Sequence, residues 1–352
     1  MLLESPNDNI LQTDIERVSQ DLSKFFEIKN KVFFITGASG LLGSIIVKSL
    51  MCLNRCYQFN ISVFALVRNY NKAQATFGDL LLDDHLQIIV GDVLSIPHIP
   101  EFIDYIIHGA SITSSKSFVT HPVETIITAI NGTYNVLELA RLNNVSGMVY
   151  MSSLEMYGNL NSDLPISEDC GGFIDPLSIR SSYSESKKMA ENLCCGFSSE
   201  FGLPVKIARL TQTFGAGVSY NDNRVFAQFA RSVIEKKNIV LHTTGETVRN
   251  YCYTSDAVRA LFYILLRGVP GSAYNVANME TAISIKEMAE LAVSFGTQTE
   301  IEFKLEDSNN HGYNPTIKIC LDTSSLSKLG WSAEVRLIEM FQRLIKSMEI
   351  NI

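Results

Sequence analysis

Residues 36–43 read Thr-Gly-Ala-Ser-Gly-Leu-Leu-Gly and separate an apolar run from a helical one. Before them, Val32 to Ile35 is a short apolar run typical of a buried strand, and after them residues 44–53 carry apolar side chains at helical spacing. A strand, a glycine turn and a helix in this order predict a cradle for a dinucleotide. The first glycine permits a tight turn, the second lets the backbone approach a pyrophosphate, and the third lets helix and strand pack closely. The helix N-terminus adds unpaired N–H groups and the positive end of its dipole.

The bulk composition narrows the class of protein. The chain has 352 residues, 46% of them hydrophobic and 19% charged, with a net charge of −8. This acidic balance argues against nucleic acid or an anionic membrane as the main partner, since both reward a basic surface. The 7 cysteines are scattered without metal-ligand spacing, and neither a leader-like segment nor a membrane-length apolar run is visible. We expect a cytoplasmic protein with reduced thiols, no metal, no nucleic acid and no membrane partner.

Strand-like and helical runs alternate over the first two thirds of the chain. The strand-like runs are 32–35, 61–67, 86–91, 104–108, 147–151 and 204–210. Such alternation predicts an α/β fold, a Rossmann-like, doubly wound parallel sheet with helices on both faces. After about residue 212 the rhythm loosens, and shorter strand-like runs follow at 238–241, 273–277 and 301–304. These predict a smaller mixed α/β lobe that closes over the site.

The predicted organisation therefore has three parts. They are an N-terminal helical extension (1–30), a dinucleotide-binding Rossmann domain (31–212, with returning segments near 238–265) and a lobe that mainly binds substrate (213–352). In the extension, apolar residues from Leu11 to Phe25 follow a 4-3-4-3 spacing, and residues 7–9 offer helix caps. We expect this helix to pack on the domain or on a partner subunit.

Tyr183 and Lys187 are the first catalytic candidates. They stand at i and i+4 in Tyr-Ser-Glu-Ser-Lys, so they share one face of a predicted helix. A neighbouring ammonium stabilises a tyrosinate and lowers its pKa from about 10, which makes the phenol a usable base near neutrality. The alternative is a solvated surface pair, because this spacing is common.

Ser153 and Glu155 are the second pair of candidates. They lie in residues 150–158, at the carboxyl end of the fifth predicted strand. Ligands of doubly wound sheets bind outside the carboxyl ends of the strands. Ser153 is therefore placed to hydrogen-bond the same substrate hydroxyl as Tyr183. Glu155 suits either a polar contact at the rim or acid–base work.

With these motifs assembled, the chain resembles the extended branch of the short-chain dehydrogenase/reductase superfamily, in particular its nucleotide-sugar epimerases, dehydratases and decarboxylases. The resemblance runs from about residue 31 to the end. It is carried by TGASGLLG (36–43), GDV (91–93), HGAS (108–111), NGTYNVLELA (131–140), YMSSLEMYG (150–158), RSSYSESK (180–187), ARLTQTFGAG (208–217), RNYCYTSDAV (249–258) and LGW (329–331).

This resemblance implies a transient oxidation of a nucleotide-diphosphate sugar at C4. Tyr183 would take the proton from the sugar hydroxyl while Ser153 holds that oxygen and hydride passes to the nicotinamide. Lys187 would bind the ribose and tune Tyr183. The resulting ketone acidifies the neighbouring C–H bonds, and Glu155 would then remove the C5 proton, as the matching glutamate does in sugar 4,6-dehydratases.

The resemblance also implies the binding residues. Cofactor contacts fall on Gly37, Ser39, Gly40, Leu41, Leu42, Gly43, Arg68, Asp92, Val93, Ala110 and Lys187. Substrate contacts fall on Ser111, Gln212, Arg224 and Arg249. Asp92 would approach the adenine edge, and Arg249 would meet the diphosphate through charge-assisted hydrogen bonds. The alternatives are a turn residue at Asp92 and a solvated cation at Arg249.

Cofactor choice and assembly rest on fewer residues. NAD-selective members generally end the second strand with Asp, where this chain has Arg68. A guanidinium suits a 2′-phosphate, so NADP is favoured over NAD, although Arg68 could instead stack on adenine and accept both. A homodimer is expected by resemblance, through helices corresponding to 123–142 and 181–201, to which the N-terminal helix could add.

Four positions depart from the family pattern. Dehydratases usually carry Asp before the catalytic Glu, where this chain has Leu154, and decarboxylases carry Arg where it has Tyr313. Gln212 replaces a usual substrate-binding Asn, and Ala129 replaces another. The Tyr313 departure counts against decarboxylation, because an unpaired substrate carboxylate in a closed site is costly.

Three functions stay open at this point. The first is a nucleotide-sugar epimerase or dehydratase, that is an isomerase or lyase with no net redox change, and Glu155 favours C5 chemistry within it. The second is a net NADP-dependent carbonyl reductase, with a UDP-glucuronate decarboxylase-like enzyme as a further alternative. The third is a non-catalytic relative that senses or scaffolds through bound dinucleotide, which the intact Tyr183 and Lys187 pair disfavours.

Overall fold

The computed structural model describes residues 2–160, 162–305 and 317–350. The strands are β1 (Val32–Thr36), β2 (Ser62–Val67), β3 (Leu86–Val90), β4 (Tyr105–His108), β5 (Gly147–Ser153), β6 (Val205–Leu210), β7 (Thr213–Phe214), β8 (Ile239–Leu241), β9 (Val248–Tyr253), β10 (Ala273–Val276), β11 (Asn278–Ser284), β12 (Ile301–Phe303) and β13 (Lys318–Ile319). The helices are α1 (Asn9–Leu22), α2 (Leu41–Tyr57), α3 (Tyr70–Phe77), α4 (Ser115–Thr120), α5 (Pro122–Leu142), α6 (Ser182–Phe201), α7 (Val225–Ile234), α8 (Thr254–Arg267), α9 (Ile285–Val293), α10 (Ser324–Ser327) and α11 (Leu337–Ile350).

A parallel sheet forms the centre of the described structure. Its strand order is β10-β6-β5-β4-β1-β2-β3, and Phe34 of β1 pairs with Phe64 on one side and Ile106 on the other. The order of strands reverses at β1, and in such sheets the crevice between the diverging connections is where ligands bind. The predicted doubly wound, Rossmann-like fold is confirmed, because the six strand-like runs before residue 212 all lie in this sheet.

The returning part of the chain differs from the predicted 238–265. β8 does not join the large sheet but pairs with β12, at Ile239 with Ile301. Instead α8 packs against the sheet and β10 extends it, with Tyr274 beside Ala208 of β6. The strand predicted for the lobe at 273–277 is therefore an edge strand of the central sheet. Its apolar pattern is too short to indicate which sheet it joins.

Two apolar layers cover the two faces of the sheet. One layer contains α1, α2 and α8, and the other contains α5 and α6. Helix α1 confirms the predicted N-terminal helix, and the Asp8 carboxylate caps it by accepting hydrogen bonds from the N–H groups of Ile10 and Leu11. Its residues Ile15 and Val18 are fully buried. Because α1 lies on the face opposite α5 and α6, the idea that it extends a dimer interface formed by those two helices is wrong.

A second apolar core lies in the smaller lobe. It is formed by side chains of α7, α9, α11, β7, β8 and β9. The hydroxyl of Thr211, just after β6, donates to the carbonyl of Asn250 in β9 at 2.6 Å, which ties the lobe to the carboxyl edge of the central sheet.

Across the described residues, no helix has the length and apolar character that a bilayer-spanning segment requires. The same part of the chain holds no group of three or more His, Cys, Asp or Glu side chains arranged to bind a metal ion.

Candidate active site

The turn between β1 and α2 has the geometry of a phosphate cradle. Gly37 adopts φ +70°, and a Cβ there would lie 2.8 Å from the carbonyl carbon of Gly109. A Cβ on Gly43 would lie 2.2 Å from the Gly37 oxygen, so helix and turn touch closely. Gly40 is the N-cap of α2, and no described side chain caps this helix, which leaves the N–H groups at its N-terminus for a ligand. Ser39, Leu41 and Leu42 are half-buried beside it. These residues fit the pyrophosphate of a nicotinamide dinucleotide.

A buried series of hydrogen bonds joins the strand that precedes the cradle to β4 and α5. The Thr36 hydroxyl accepts from the Ala110 N–H at 3.1 Å and bonds Nδ1 of His108 at 2.7 Å. The Nε2 atom of His108 bonds the Thr133 hydroxyl at 3.1 Å, which links β4 to α5. Burial and the nearby Lys187 lower the pKa of His108 to about 3, so the ring is neutral at physiological pH.

The other predicted cofactor residues lie along the same edge of the sheet. Arg68 is exposed at the carboxyl end of β2. Asp92 follows β3, and its carboxylate accepts from the Leu94 N–H at 2.9 Å, which is a turn-stabilising contact. Val93 is buried against Gly132 of α5. The position of Asp92 suits both the adenine contact and the turn role that the sequence left open.

Tyr183 and Lys187 share the buried face of α6, as the spacing predicts. Tyr183 is 7% exposed and Lys187 is 3% exposed. The Lys187 ammonium donates to the Met151 carbonyl at 2.8 Å and lies 5.7 Å from the centre of the Tyr183 ring. Met151 in turn packs against Gly109, next to the cradle. The candidate catalytic pair is therefore contiguous with the dinucleotide cradle.

The expected lowering of the Tyr183 pKa is wrong for the protein alone. Burial raises the pKa of the Tyr183 phenol above its usual value, and the neighbouring Glu155 carboxylate raises it further. A hydrogen bond with Ser153 and the charge of Arg180 oppose this effect. Lys187 does not offset it, because its ammonium is directed to the Met151 carbonyl and burial lowers its own pKa to about 8.

Ser153 and Glu155 lie where β5 ends and a 3₁₀ turn (Leu154–Tyr157) begins. The Ser153 hydroxyl caps this turn by accepting from the Glu155 N–H at 3.2 Å. The Glu155 carboxylate accepts from the Arg180 guanidinium at 3.0 Å through Oε2. The structure thus brings Tyr183, Ser153 and Glu155 together. Arg180 lies in the segment RSSYSESK (180–187), and its pairing with Glu155, 25 residues away, was not predicted.

A second buried ion pair that the sequence analysis missed lies beneath the site. Glu191 of α6 accepts from Arg209 of β6 at 2.8 Å and from the Ser152 hydroxyl at 2.5 Å. Arg209 also donates to the Tyr157 hydroxyl at 3.0 Å. This network fixes both ends of the 3₁₀ turn that carries Glu155. An arginine and a glutamate 18 residues apart cannot be paired from sequence periodicity.

Leu154 and Ala129 are both buried. Leu154 is 5% exposed and packs in a small apolar cluster with Ile166 and Ile319, at the contact with the lobe. Ala129 is buried in α5. An acid at position 154 would be desolvated there, so the leucine agrees with its packing. Tyr313 lies outside the described residues.

Arg249 and Tyr251 project from the same face of β9, two residues apart. Arg249 is 9% exposed, and its buried Nε atom has no hydrogen-bond partner among the described residues. The buried Tyr251 hydroxyl likewise has none in that part of the chain. Unpartnered buried donors are costly in a finished core and typical of a ligand site. This pattern fits the diphosphate contact that the resemblance implies for Arg249. Tyr251 was not predicted as a site residue, because a tyrosine in a strand normally belongs to the hydrophobic core.

The remaining predicted substrate residues differ in whether their side chains are already engaged by the protein. Gln212 joins β6 to β7, and its backbone carbonyl accepts from Cys252 while its side chain makes no hydrogen bond among the residues described. Ser111 lies half-buried after β4. Arg224 is engaged differently, because its guanidinium pairs with both Asp222 carboxylate oxygens at 2.6–3.1 Å. A substrate would have to compete with Asp222 for it.

The chain is similar to known proteins over most of its length. A family model described as the NAD dependent epimerase/dehydratase family matches residues 33–277. A UDP-glucuronic acid decarboxylase 1 of Danio rerio is 27% identical over 326 residues, covering 92% of this chain and 74% of that protein. A UDP-glucuronic acid decarboxylase 6 of Arabidopsis thaliana is 28% identical over 327 residues, covering 90% and 88% respectively.

Solved structures show the same fold. A UDP-N-acetylglucosamine 4-epimerase of Methanobrevibacter ruminantium, in complex with UDP-N-acetylmuramic acid, superposes with a TM-score of 0.78 at 20% identity, covering 92% of this chain and 100% of that one. A dTDP-glucose 4,6-dehydratase of Bacillus anthracis, in complex with NAD, gives a TM-score of 0.75 at 17% identity, covering 91% and 97%.

Proposed function

The chain belongs to the NAD dependent epimerase/dehydratase family, and we propose that it acts on a nucleotide-diphosphate sugar by transient oxidation at C4 followed by proton removal at C5. The single observation that carries this proposal is the cluster of Tyr183, Ser153 and Glu155 beside the dinucleotide cradle. Epimerisation through C5 and loss of water are the two outcomes that this chemistry allows without net redox change.

The proposed steps use groups already in place. A bound nicotinamide dinucleotide supplies the hydride acceptor and returns the hydride at the end. Tyr183 takes the C4 hydroxyl proton on its phenolic oxygen, and Ser153 donates a hydrogen bond to the same substrate oxygen. Lys187 would hold the ribose of the bound dinucleotide, and its ammonium, directed in the protein alone to the Met151 carbonyl, would then favour the tyrosinate that burial disfavours. Glu155 then accepts the C5 proton, since the adjacent C4 ketone makes that C–H bond acidic.

The substrate is proposed to lie between the sheet edge and the lobe. Its diphosphate is proposed to meet Arg249, whose buried Nε atom has no partner in residues 2–160, 162–305 and 317–350 and so supports an anion contact. Gln212, Ser111 and Tyr251 are proposed to contact the nucleotide or the sugar. Arg224 contributes once Asp222 is displaced.

We favour NADP over NAD on one residue. Arg68 is exposed at the end of β2 and makes no hydrogen bond among the residues described. Its guanidinium would lie beside the adenosine ribose of a bound dinucleotide, where NADP carries its 2′-phosphate. NAD is the alternative, and it is the cofactor named for the dehydratase of Bacillus anthracis. Titration of both dinucleotides into Arg68→Ala decides between them, because an unchanged NADP affinity would contradict the preference.

A homodimer through α5 and α6 is part of the proposal. Both helices keep large apolar side chains exposed, Val123 and Leu142 on α5 and Met189 and Phe201 on α6. Such side chains on paired helices suit burial against a second copy. Sedimentation of the wild type and of Val123→Glu combined with Met189→Glu tests this, with a monomeric double variant as the expected result. The cytoplasmic location stays a prediction.

Decarboxylation is the second candidate, because the relatives reported above are named UDP-glucuronic acid decarboxylases. It shares C4 oxidation with the first candidate but releases the C5 carboxylate as carbon dioxide. Tyr313, in place of the arginine that pairs with that carboxylate in the decarboxylases, counts against it.

Mass spectrometry of products after incubation with UDP-, dTDP-, CDP- and GDP-sugars in deuterated water tests the proposal. Loss of water identifies a dehydratase, and deuterium uptake without loss of water identifies epimerisation through C5. Loss of carbon dioxide from UDP-glucuronate identifies the second candidate. No change with any sugar, together with steady consumption of NADPH on a carbonyl compound, would contradict both. Tyr183→Phe is the inactive control.

A further inference from the structure

Arg180 lies at the mouth of the candidate site, on a 3₁₀ turn (Ile179–Ser181) that leads into α6. Its guanidinium donates to Oε2 of Glu155 at 3.0 Å, and the two side chains are 21% and 24% exposed. The other oxygen of Glu155 has no partner among the described residues. One carboxylate oxygen is therefore anchored and the other is open to accept a proton.

Arg180 also belongs to a layered stack with the catalytic tyrosine. Its guanidinium carbon lies 4.7 Å from the centre of the Phe118 ring. The Phe118 ring stacks on Tyr183 with centres 4.2 Å apart and planes 10° apart. The Ser182 hydroxyl donates to the Phe118 carbonyl at 2.9 Å, which fastens α4 to the start of α6. The position of Arg180 is thus coupled to both Glu155 and Tyr183.

The charges of Glu155 and Arg180 have opposite effects on the Tyr183 phenol. The Glu155 carboxylate disfavours ionisation of the Tyr183 phenol, and the Arg180 cation opposes that effect. Without the cation, a bare carboxylate would stand beside a phenol that must ionise during the reaction. A half-exposed ion pair that served only stability would not need this placement between two reacting groups.

We propose that Arg180 is a positioning residue for the step at C5, holding Glu155 by one oxygen while the other faces the sugar and fixing Phe118 against Tyr183. The inference rests on the proposed function. In this step the C5–H bond breaks and an O–H bond forms at the free Glu155 oxygen. The electron pair passes to the C4 carbonyl oxygen. Arg180 keeps its hydrogen bond to the carboxyl group throughout and exchanges no proton.

The test compares Arg180→Gln with Arg180→Lys on the holoenzyme. Arg267→Gln is the matched control, because Arg267 forms an exposed ion pair with Glu27 at the C-terminus of α8. Two readouts separate the steps for a nucleotide sugar that the wild type accepts. Absorbance of the reduced nicotinamide in a single turnover reports C4 oxidation, and deuterium uptake at C5 reports the step that Glu155 performs.

The expected result is that Arg180→Gln slows deuterium uptake about 10- to 100-fold, because a misplaced base loses rate of this order. C4 oxidation slows by a clearly smaller factor, since the cation also opposes the effect of the Glu155 carboxylate on Tyr183. Arg180→Lys recovers part of the loss, and Arg267→Gln matches the wild type. Equal loss in both readouts, or no loss in either, overturns the inference. Should Arg180→Gln not fold, Arg180→Lys gives the same comparison between the two readouts. A wild type that oxidises no nucleotide sugar overturns the proposed function itself and the C5 role with it.

Discussion

The ammonium of Lys187 donates a hydrogen bond to the main-chain carbonyl of Met151 at 2.8 Å, beneath the Tyr183 ring. It also lies 4.7 Å from the centre of the Tyr150 ring. The cation is therefore held by the end of β5 and one aromatic face, in a buried place where its own pKa falls to about 8. A lysine that loses its charge so close to neutrality limits the range in which it can favour a tyrosinate.

From this follows an alkaline limit on activity. We expect kcat/KM to fall above a pH of about 8, because the charge that Lys187 is proposed to bring to the tyrosinate in the dinucleotide complex is lost when its amine becomes neutral. Lys187→Arg keeps a permanent cation, so its slower activity should lack this alkaline limb. The measurement is kcat/KM across the alkaline range for both proteins. A limb that persists in Lys187→Arg would assign the titration to another group.

Acid sensitivity of folding is predicted from His108. The pKa of this ring is about 3 in the folded protein and 6.5 in the unfolded chain. Between these pH values the unfolded chain binds more protons, so the free energy of unfolding decreases as the pH falls below 6.5. At about pH 5 the loss attributable to this ring is about 2 kcal/mol. Denaturant unfolding at several pH values, with His108→Gln as the comparison, measures it. The variant should show a weaker pH dependence, and an unchanged slope would contradict the assignment.

The cradle glycines provide a matched pair of substitutions. A Cβ on Gly43 meets backbone atoms at 2.2–3.0 Å, whereas a Cβ on Gly40 meets only the Gly37 oxygen, at 3.1 Å. Gly43→Ala should therefore destabilise the fold by about 1–3 kcal/mol through overpacking. Gly40→Ala should fold nearly as well as the wild type and lose mainly dinucleotide affinity. Thermal unfolding and cofactor titration of both variants distinguish the two effects, and equal loss of stability would refute this division.

Sequence reasoning succeeded where a local pattern determines the structure. The strands around the glycine turn, the cap of α1 at Asp8 and the shared helix face of Tyr183 and Lys187 all depend on residues within one or two turns of each other. The parallel pairing of the central strands follows from the alternation of strands and helices, since parallel strands require crossover connections.

The rest depends on long-range packing that spacing does not encode. Arg180 meets Glu155 across 25 residues, and Glu191 meets Arg209 between a helix and the next strand. β10 joins the central sheet because α8 carries the chain back to its edge, which a four-residue apolar run cannot reveal. The direction of the Lys187 side chain was also missed, because helical spacing places its Cα but not its ammonium.

The hydroxyl of Tyr251, which has no hydrogen-bond partner within the described part of the chain, leads to the last prediction, in which stability and binding change in opposite directions. Burial without a hydrogen bond is unfavourable and raises the pKa of this phenol to about 12. Tyr251→Phe removes the unsatisfied group while keeping its ring beside Phe214. We therefore expect the substrate-free protein to gain about 1 kcal/mol of stability. Its KM for the nucleotide sugar should rise, because a hydrogen bond beside Arg249 is lost.

Tyr253 is the control for this change, since it lies on the same face of β9 but its hydroxyl donates to Asp14 at 2.5 Å. Tyr253→Phe leaves a buried carboxylate with one partner fewer, so it should destabilise the protein and leave KM unchanged. Denaturant unfolding and steady-state kinetics of both variants give the four values needed. If Tyr251→Phe loses stability as Tyr253→Phe does, the Tyr251 hydroxyl belongs to the core. If it gains stability with KM unchanged, the hydroxyl does not contact the substrate.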